Sequence, residues 1–263
     1  MIGFIGAGKM AEAILTGMLQ GGVCAAHEVG ISDVQGARVQ DLVARYGIKA
    51  FDGNTQLARA SDVVILAVKP QDLDAVMAGI AREVQQRCVI SIAAGRVLAG
   101  LEAALPEARI IRVMPNLACQ VGAGMSVLCG GSRATAEDLA RAEAVFGASG
   151  LVCQAPEAQF DMVTALSGSG PAFWTQLAQY EYETAVAAGL TEETARTLVL
   201  QTMLGTAKVL LESGIAFEDF MDAVASKGGT TAAGLAVLRD RPARDILEAV
   251  LGAAAERSRA LRS

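Results

Sequence analysis

Short apolar runs alternate with stretches of helical periodicity along the first 155 residues. One run, Val63–Val68, reads VVILAV and is nearly continuous, as expected of a parallel strand covered on both faces. Between the first two runs, apolar residues recur at helical spacing at Ala11, Ile14, Leu15, Met18 and Leu19. The alternation predicts an α/β fold, a doubly wound parallel sheet with strands at Ile2–Ile5, Val29–Ser32, Val63–Val68, Val89–Ala93 and Ile110–Val113.

The strand-like runs stop after Pro156. Just before it, Met125–Cys129 and Leu151–Cys153 flank a helical pattern at Thr135–Phe146 and are suited to extend the sheet. Beyond it, the periodicity predicts only helices, at Pro171–Ala188, Thr191–Glu212, Phe217–Val224, Ala232–Arg239 and Ala243–Arg259. We therefore predict a sheet-bearing domain over residues 1–155 and an all-helical domain over residues 156–263.

The first strand leads directly into Gly6-Ala7-Gly8-Lys9-Met10-Ala11, which has the pattern G-x-G-x-x-A. In a β-α-β unit the first glycine allows a tight turn, the second lets the backbone approach a pyrophosphate, and the small Ala11 lets helix and strand pack closely. The amides at the helix N-terminus then face the phosphates. A purely structural glycine turn is the alternative, but the N-terminal position and the acid that ends the second strand, Asp33, favour a Rossmann-type dinucleotide site.

The type of dinucleotide stays open from these residues. An acid at the position of Asp33 normally accepts hydrogen bonds from the ribose hydroxyls of NAD and repels a 2′-phosphate. Arg38 follows one helical turn later and could offset that charge. Asp33 could equally serve only as a helix N-cap.

Three further strand ends should lie at the same edge of the sheet, where ligands bind in this architecture. They read AVKP (Ala67–Pro70), AAG (Ala93–Gly95) and MPN (Met114–Asn116). The two prolines could simply stop strands, but the polar neighbours Lys69 and Asn116 are suited to line a crevice.

Two glycine-rich stretches interrupt the helical region. In LSGSGPA, Gly170 can cap a helix that starts at Pro171, so the stretch is either an inter-helix turn or a cluster of donors. In SKGGTTAAG, Gly228, Gly229, Thr230 and Thr231 precede a predicted helix. This second stretch is either a plain helix cap or a site for an anion such as a carboxylate.

Composition narrows the functional classes. The chain of 263 residues is 52% hydrophobic, which points to subunit interfaces, yet no uncharged apolar run approaches the length of a membrane helix. A net charge of −6 gives no support for nucleic-acid binding. The five cysteines are widely spaced and suit buried thiols in a reducing cytoplasm, without a metal site, and the single histidine excludes chemistry that needs several.

The segments GFIGAGKMA, AVKP, MPN, LSGSGPA and GGTTAAG, in this order and spacing, resemble the pyrroline-5-carboxylate reductase family over essentially the whole chain. The resemblance implies reduction of the cyclic imine 1-pyrroline-5-carboxylate to L-proline, the last step of proline biosynthesis. It also implies NADP(H) as the favoured cofactor, with NAD(H) as an alternative. A Rossmann domain would be joined to a helical domain that forms a dimer, and dimers of this family often assemble into decamers.

The resemblance also assigns site residues, which we state as expectations. The cofactor would be held by Ile5, Gly6, Ala7, Gly8, Lys9, Met10, Asn54, Ala67, Val68, Lys69, Pro70, Ala93, Ala94 and Gly95. To these the fingerprint adds Asp33, from its place at the end of the second strand. The substrate would be held by Asn116, Ser226, Gly228, Gly229, Thr230 and Thr231, with Thr231 as the catalytic residue near the imine nitrogen. Lys227 departs from the family, which usually has proline there, and we expect its side chain to point to solvent rather than to the substrate.

Two rival functions remain at this point. A hydroxyacid dehydrogenase of related architecture would need a lysine soon after the Ser-Gly-x-Gly loop, and residues 167–183 contain none. A non-catalytic protein that senses NADP(H) is compatible with the lack of a strong acid or base. We expect a protein that self-associates through its helical domain and binds neither nucleic acid nor membranes.

Overall fold

The computed structural model describes residues 1–262 and places one eight-stranded sheet in the N-terminal part of the chain. The strands are β1 (Ile2–Ile5), β2 (Val29–Ser32), β3 (Lys49–Ala50), β4 (Val63–Leu66), β5 (Cys88–Ser91), β6 (Arg109–Met114), β7 (Gly124–Gly130) and β8 (Gly150–Gln154). Their spatial order is β3-β2-β1-β4-β5-β6-β7-β8. The first six strands are parallel, whereas β7 pairs antiparallel with β6 and parallel with β8.

The helices are α1 (Lys9–Gln20), α2 (Gly36–Tyr46), α3 (Asn54–Ala60), α4 (Leu73–Ile80), α5 (Leu98–Ala104), α6 (Ala136–Gly147), α7 (Phe160–Val163), α8 (Gly170–Ala187), α9 (Glu192–Ser213), α10 (Phe217–Val224), α11 (Thr230–Asp240) and α12 (Ala243–Ala260). Short 3₁₀ segments lie at Ala26–Glu28, Leu117–Val121 and Glu157–Gln159, and a π-helical turn lies at Thr164–Gly168. The predicted fold class, a Rossmann-type sheet followed by helices, is confirmed.

The chain divides into two compact units. The sheet unit comprises Met1–Pro171 and the segment from Gly252 onward, and the helical unit comprises Ala172–Leu251. The last strand of the sheet ends at Gln154. The assignment of separate functions to residues 1–155 and 156–263 stays a prediction. Within residues 1–262 no helix combines the length and apolar character needed to cross a membrane.

The sheet unit has a core on each face of its sheet, because successive residues of a strand point to opposite sides. One core gathers Phe4, Ile14, Leu15, Met18, Ile65, Ile90 and Phe146. The other gathers Ile5, Leu57, Val64, Leu66, Met77, Val89 and Leu101. Two cysteines, Cys88 and Cys119, are buried as expected, but Cys153 on the edge strand β8 is exposed, contrary to that expectation.

Candidate active site

The turn between β1 and α1 is built for close approach of a ligand. Gly6 has a φ of +105° and donates its N–H to the Ser32 carbonyl at 2.8 Å, and a Cβ there would lie 2.6 Å from the Ala67 carbonyl oxygen. Gly8 caps α1 without a side-chain hydrogen bond, and open space lies where its Cβ would be. The first amides of α1 therefore face an unobstructed space, which is the geometry that binds a pyrophosphate.

Asp33 is tied to this turn across the sheet edge. Its carboxylate accepts hydrogen bonds from the Ala7 N–H at 2.6 Å and from the Gln35 N–H at 2.7 Å. Gln35, and not Asp33, occupies the N-cap position of α2, so the reading of Asp33 as a helix cap is wrong. Asp33 thus sits beside the fingerprint backbone, where an acid can face a ribose.

A group of charges surrounds the same turn. Arg38 donates from Nε to the Ala7 carbonyl at 3.0 Å and pairs with Glu12 and Asp41. Burial acts to raise the pKa of Glu12, but hydrogen bonds from Arg38 and then Arg45 outweigh it and hold that pKa below its usual value. A cleft of about 390 Å³ lies here, lined by Ala7, Gly8, Lys9, Glu12, Asp33, Gln35 and Arg38.

The other predicted cofactor residues gather at the carboxyl ends of the parallel strands. The segment Ala67–Pro70 follows β4, with the Ala67 N–H bonded to the Ile5 carbonyl at 2.8 Å. Asn54 begins α3, and its Oδ1 accepts a hydrogen bond from the Ser32 hydroxyl at 2.8 Å. Ala93–Gly95 follows β5. The structure therefore brings these segments to one edge of the sheet, together with Ile5–Met10.

Two contacts that the sequence did not indicate support the Ala93–Gly95 segment. Gly95 has a φ of +76°, and a Cβ there would lie 2.8 Å from the Leu261 carbonyl oxygen. Three residues on, the Leu98 N–H donates to Glu157 Oε1 at 2.6 Å, and the same oxygen pairs with buried Arg112 at 2.8 Å. Residues far apart in the chain thus hold this segment, so no local pattern could reveal them.

Asn116 lies next to the serine-glycine stretch. Its Oδ1 accepts from the Met125 N–H at 3.1 Å, and its Nδ2 donates to the Ser167 hydroxyl at 3.4 Å. Ser167 belongs to the π-helical turn Thr164–Gly168, which leads into α8 at Gly170. Of the two alternatives for this stretch, the inter-helix turn is wrong: the segment is helical with a local π-turn, a feature that often marks functional sites.

The predicted substrate loop lies in the helical unit. Gly228 has a φ of +73°, and the Gly229 N–H donates to the Ser226 carbonyl at 2.9 Å, which forms a tight turn. Helix α11 begins at Thr230, two residues before the predicted Ala232, with Gly229 as an N-cap that has no side-chain hydrogen bond. Its first amides therefore lack intrahelical acceptors and are available to an anion.

Side chains around that helix start differ in exposure. Thr231 is half-buried, and Thr230 and Ser226 are exposed. Lys227 is also exposed, in agreement with a side chain that points to solvent. The structure thus brings Ser226, Gly228, Gly229, Thr230 and Thr231 together, while Asn116 belongs to the sheet unit.

Glu12 is the main residue of this region that sequence reasoning missed. The available signal was an acid in the first turn of the helix that follows the fingerprint. Its partners Arg38 and Arg45 come from α2, so the ion pairs of Glu12 form only when α2 packs beside α1.

Comparison with known protein families finds one match in each half of the chain. A family model described as pyrroline-5-carboxylate reductase dimerisation matches residues 157–261. A second model, described as NADP oxidoreductase coenzyme F420-dependent, matches residues 1–95.

Similar proteins cover nearly the whole chain. A pyrroline-5-carboxylate reductase of Methanosarcina acetivorans is 42% identical over 262 residues, covering 99% of this chain and 97% of the relative. One of Arabidopsis thaliana is 38% identical over 261 residues, covering 99% and 95%.

Solved structures agree with these relatives. A pyrroline-5-carboxylate reductase structure from Coxiella burnetii superposes with a TM-score of 0.96 at 32% identity, covering 100% of this chain and 98% of that one. A Plasmodium falciparum pyrroline carboxylate reductase with NADP bound has a TM-score of 0.86 at 28% identity, covering 100% and 98%. Neither rival function is favoured by these matches. Since relatives well above 30% identity span both units, the chain belongs to the pyrroline-5-carboxylate reductase family.

Proposed function

We propose that this protein reduces 1-pyrroline-5-carboxylate to L-proline with NADPH in preference to NADH, as the last step of proline biosynthesis in the cytoplasm. The observation that carries the proposal is the similarity to pyrroline-5-carboxylate reductases over 99% of the chain. It includes both the fingerprint and the GGTT helix start. The bound nicotinamide supplies the hydride, and the protein supplies position and electrostatics.

The residues present fit a dinucleotide. Gly8 leaves open space at the N-terminus of α1, and Gly6 permits the close turn. We assign cofactor binding to Ile5–Met10, Asp33 and Asn54, and to the segments Ala67–Pro70 and Ala93–Gly95. Lys9 and Arg38 line the cleft beside Asp33 and are the two cations there that can attract a 2′-phosphate.

The substrate carries a carboxylate and a ring nitrogen, which need different partners. We assign the carboxylate to the backbone amides of Gly228–Thr231 at the start of α11, with Ser226, Thr230 and Asn116 as further polar contacts. A helix N-terminus stabilises an anion through its free amides and its dipole. The Thr231 hydroxyl hydrogen-bonds to the ring nitrogen, which helps to orient the imine carbon for hydride transfer.

Self-association follows from the dimerisation region. The match of that model to residues 157–261 supports a dimer formed through the helices, and assembly of dimers into a decamer is part of the proposal. In this scheme residues 1–155 bind the cofactor and contribute Asn116 to the substrate site, and residues 156–263 provide the other substrate contacts and dimerise. Light scattering at micromolar concentration should give at least the dimer mass, and a monomer would contradict it.

A spectrophotometric assay tests the activity. Oxidation of NADPH and of NADH should depend on added pyrroline-5-carboxylate, and faster turnover is expected with NADPH. Cofactor binding without substrate-dependent oxidation would instead support the sensor function.

The role of Thr231 has its own test. Thr231→Ala should lower kcat by roughly 10- to 1000-fold, the range for a lost catalytic hydrogen-bond partner. Thr231→Ser keeps the hydroxyl and should retain most activity. Unchanged kcat and KM in Thr231→Ala would remove this residue from the mechanism.

A further inference from the structure

Glu12 occupies a position that the proposed cofactor roles leave unexplained. It lies in the first turn of α1, and its side chain is 21% exposed. It lines the same cleft as Asp33 and Arg38, where the fingerprint turn meets the start of α2. An acid in this place faces the region where the adenosine ribose of a dinucleotide lies in this architecture.

The Glu12 carboxylate holds two arginines. Oε2 pairs with Arg38 Nη2, and Oε1 pairs with Arg45 Nη1 at 2.6 Å. Tyr46 also donates its hydroxyl to Oε1, at 3.3 Å. Because these hydrogen bonds outweigh the effect of burial and lower its pKa, Glu12 remains charged at neutral pH.

Arg38 is correspondingly committed to protein partners. Of the five N–H donors of a guanidinium, one is used by the Ala7 carbonyl at 3.0 Å, one by Asp41 at 2.7 Å and one by Glu12. At most two donors remain for a ligand. Glu12 and Asp41 also pair with Arg45, so two carboxylates face two arginines here, and Arg38 attracts a phosphate less than an unpaired arginine would.

The charges that line the cleft cancel. Lys9 and Arg38 contribute two positive charges, and Glu12 and Asp33 contribute two negative ones. A ribose with a free 2′-hydroxyl is neutral and meets no penalty in such a site. A 2′-phosphate, which is close to doubly charged, is attracted by Lys9 and Arg38 but repelled by each carboxylate, so its net attraction is smaller than two unopposed cations would give.

We propose that Glu12 is a specificity-determining residue: by neutralising Arg38 it limits the preference for the 2′-phosphate of NADPH and keeps the site open to NADH. This selectivity rests on the proposed reductase function, because it presupposes a nicotinamide cofactor. It concerns only the adenosine end of that cofactor. Binding can therefore test it without catalysis.

The first test measures binding of adenosine 2′,5′-bisphosphate and of 5′-AMP by calorimetry. Glu12→Gln keeps the side-chain length and a carbonyl acceptor for Arg38 but removes the charge. We expect the ratio of affinities, bisphosphate over monophosphate, to rise by about tenfold at low salt and to rise less at high salt. The same shift should appear in the ratio of kcat/KM for NADPH over NADH.

A double-mutant cycle links the effect to Arg38. In an Arg38→Gln background, Glu12→Gln should raise the ratio by less than it does in the wild type, because only the direct repulsion between Glu12 and the phosphate is then left to remove. Asp41→Asn provides a second variant that leaves α1 intact, and it should shift the ratio in the same direction but less, because Asp41 is 46% exposed.

A remote ion pair supplies the control. Glu83 pairs with Arg59 at 3.0 Å and does not line the cleft, so Glu83→Gln should leave the ratio unchanged. A ratio that falls in Glu12→Gln would mean that Glu12 positions Arg38 for the phosphate, and an unchanged ratio would mean that it has no part in selectivity; either result overturns the proposal. Failure of the wild-type reductase assay would instead refute the proposed function and leave the binding result standing.

Discussion

The sheet unit and the helical unit differ in how much of their apolar surface they bury within one chain. The sheet unit has a core on each side of its sheet, with many side chains fully buried. In the helical unit only Ala178 and Ala195 are buried hydrophobic residues. Many large apolar side chains there are exposed, including Trp174, Leu198, Leu200, Leu204, Leu211, Phe217, Val237 and Leu238.

This difference shows which part of the chain can be stable alone. Apolar burial is the main favourable contribution to folding, and the sheet unit obtains it within one chain. The helical unit exposes more apolar surface than a monomeric protein normally tolerates, so we expect its stability to come from a second copy. The excess of hydrophobic residues in the chain, 52% of the total, therefore lies partly on the exposed surface of the helical unit.

The largest effect is expected from a charge on the apolar surface of α9. Leu204 is 62% exposed in the single chain and shares a helix face with Leu200 and Leu211. If a partner covers it, Leu204→Glu buries an unpaired charge, which should cost about 4 kcal/mol and weaken the dimer by roughly 1000-fold. Light scattering over a dilution series measures this, and the fluorescence of the single tryptophan, Trp174, reports on the helical unit.

Leu151 provides the matched control, because it is 58% exposed but lies on β8 of the sheet unit. Leu151→Glu should leave the dimer intact, since a substitution at an exposed site rarely costs more than about 0.5 kcal/mol. Leu204→Glu should retain dinucleotide binding within about threefold, because the residues assigned to the cofactor lie in the sheet unit. A dimer that survives Leu204→Glu would show that the helical unit is stabilised in another way.

The next effect concerns the sheet unit alone and compares two neighbouring glycines. Gly6→Ala places a Cβ 2.6 Å from the Ala67 carbonyl at a φ of +105°, so we expect a loss of about 3 kcal/mol in the free energy of unfolding. Gly8 has a φ of −69° and open space around it, so Gly8→Ala should cost less than about 1 kcal/mol. Urea unfolding at two protein concentrations tests whether the loss is independent of association.

Dinucleotide binding tests Gly8 further, because Gly8→Ala is expected to stay folded. Gly8→Ala fills part of the space beside the helix amides and should weaken NADPH binding by about tenfold or more while the fold persists. Equal effects of the two substitutions on stability would contradict the geometry of the turn.

The smallest effect is a pH dependence within the sheet unit. Burial acts to raise the pKa of Asp138, but hydrogen bonds from Arg109 at 2.7 and 3.0 Å and from Thr135 lower it from 3.8 to about 2. A depressed pKa contributes stability above the unfolded value, and this contribution is lost as pH falls from about 4 to about 2. Asp138→Asn should therefore cost about 2 kcal/mol at pH 7 and flatten the acid limb of the stability curve.

Unfolding experiments at pH 7, 5 and 3 measure this contribution. The wild type should lose stability between the last two values, and Asp138→Asn should lose less. An identical acid limb in both proteins would show that other carboxylates account for it.

Sequence patterns predicted most of the strands, α6 and the helices from α8 onward to within two residues, because period-2 and period-3.6 alternations are local. No bounds were predicted for α2, α3, α4, α5 and α7. The strand β3 was missed, since Lys49–Ala50 has two exposed residues and no apolar run. The direction of β7 was not predictable either, because a strand's own residues do not encode which neighbour it pairs with. The helical form of the serine-glycine stretch was not predicted, because glycines usually break helices, whereas here Met114 packs against Gly168 and the chain continues as a π-turn.

The sequence by itself determined the two kinds of region, the fingerprint turn and the resemblance to pyrroline-5-carboxylate reductases, because these depend on residues close together in the chain. Only the tertiary structure decided what surrounds the ribose region. There Asp33 meets Ala7 and Arg38 meets Glu12, both across 26 residues of sequence. Charge balance in a cleft is a sum over side chains from different elements, and only packing brings those elements together.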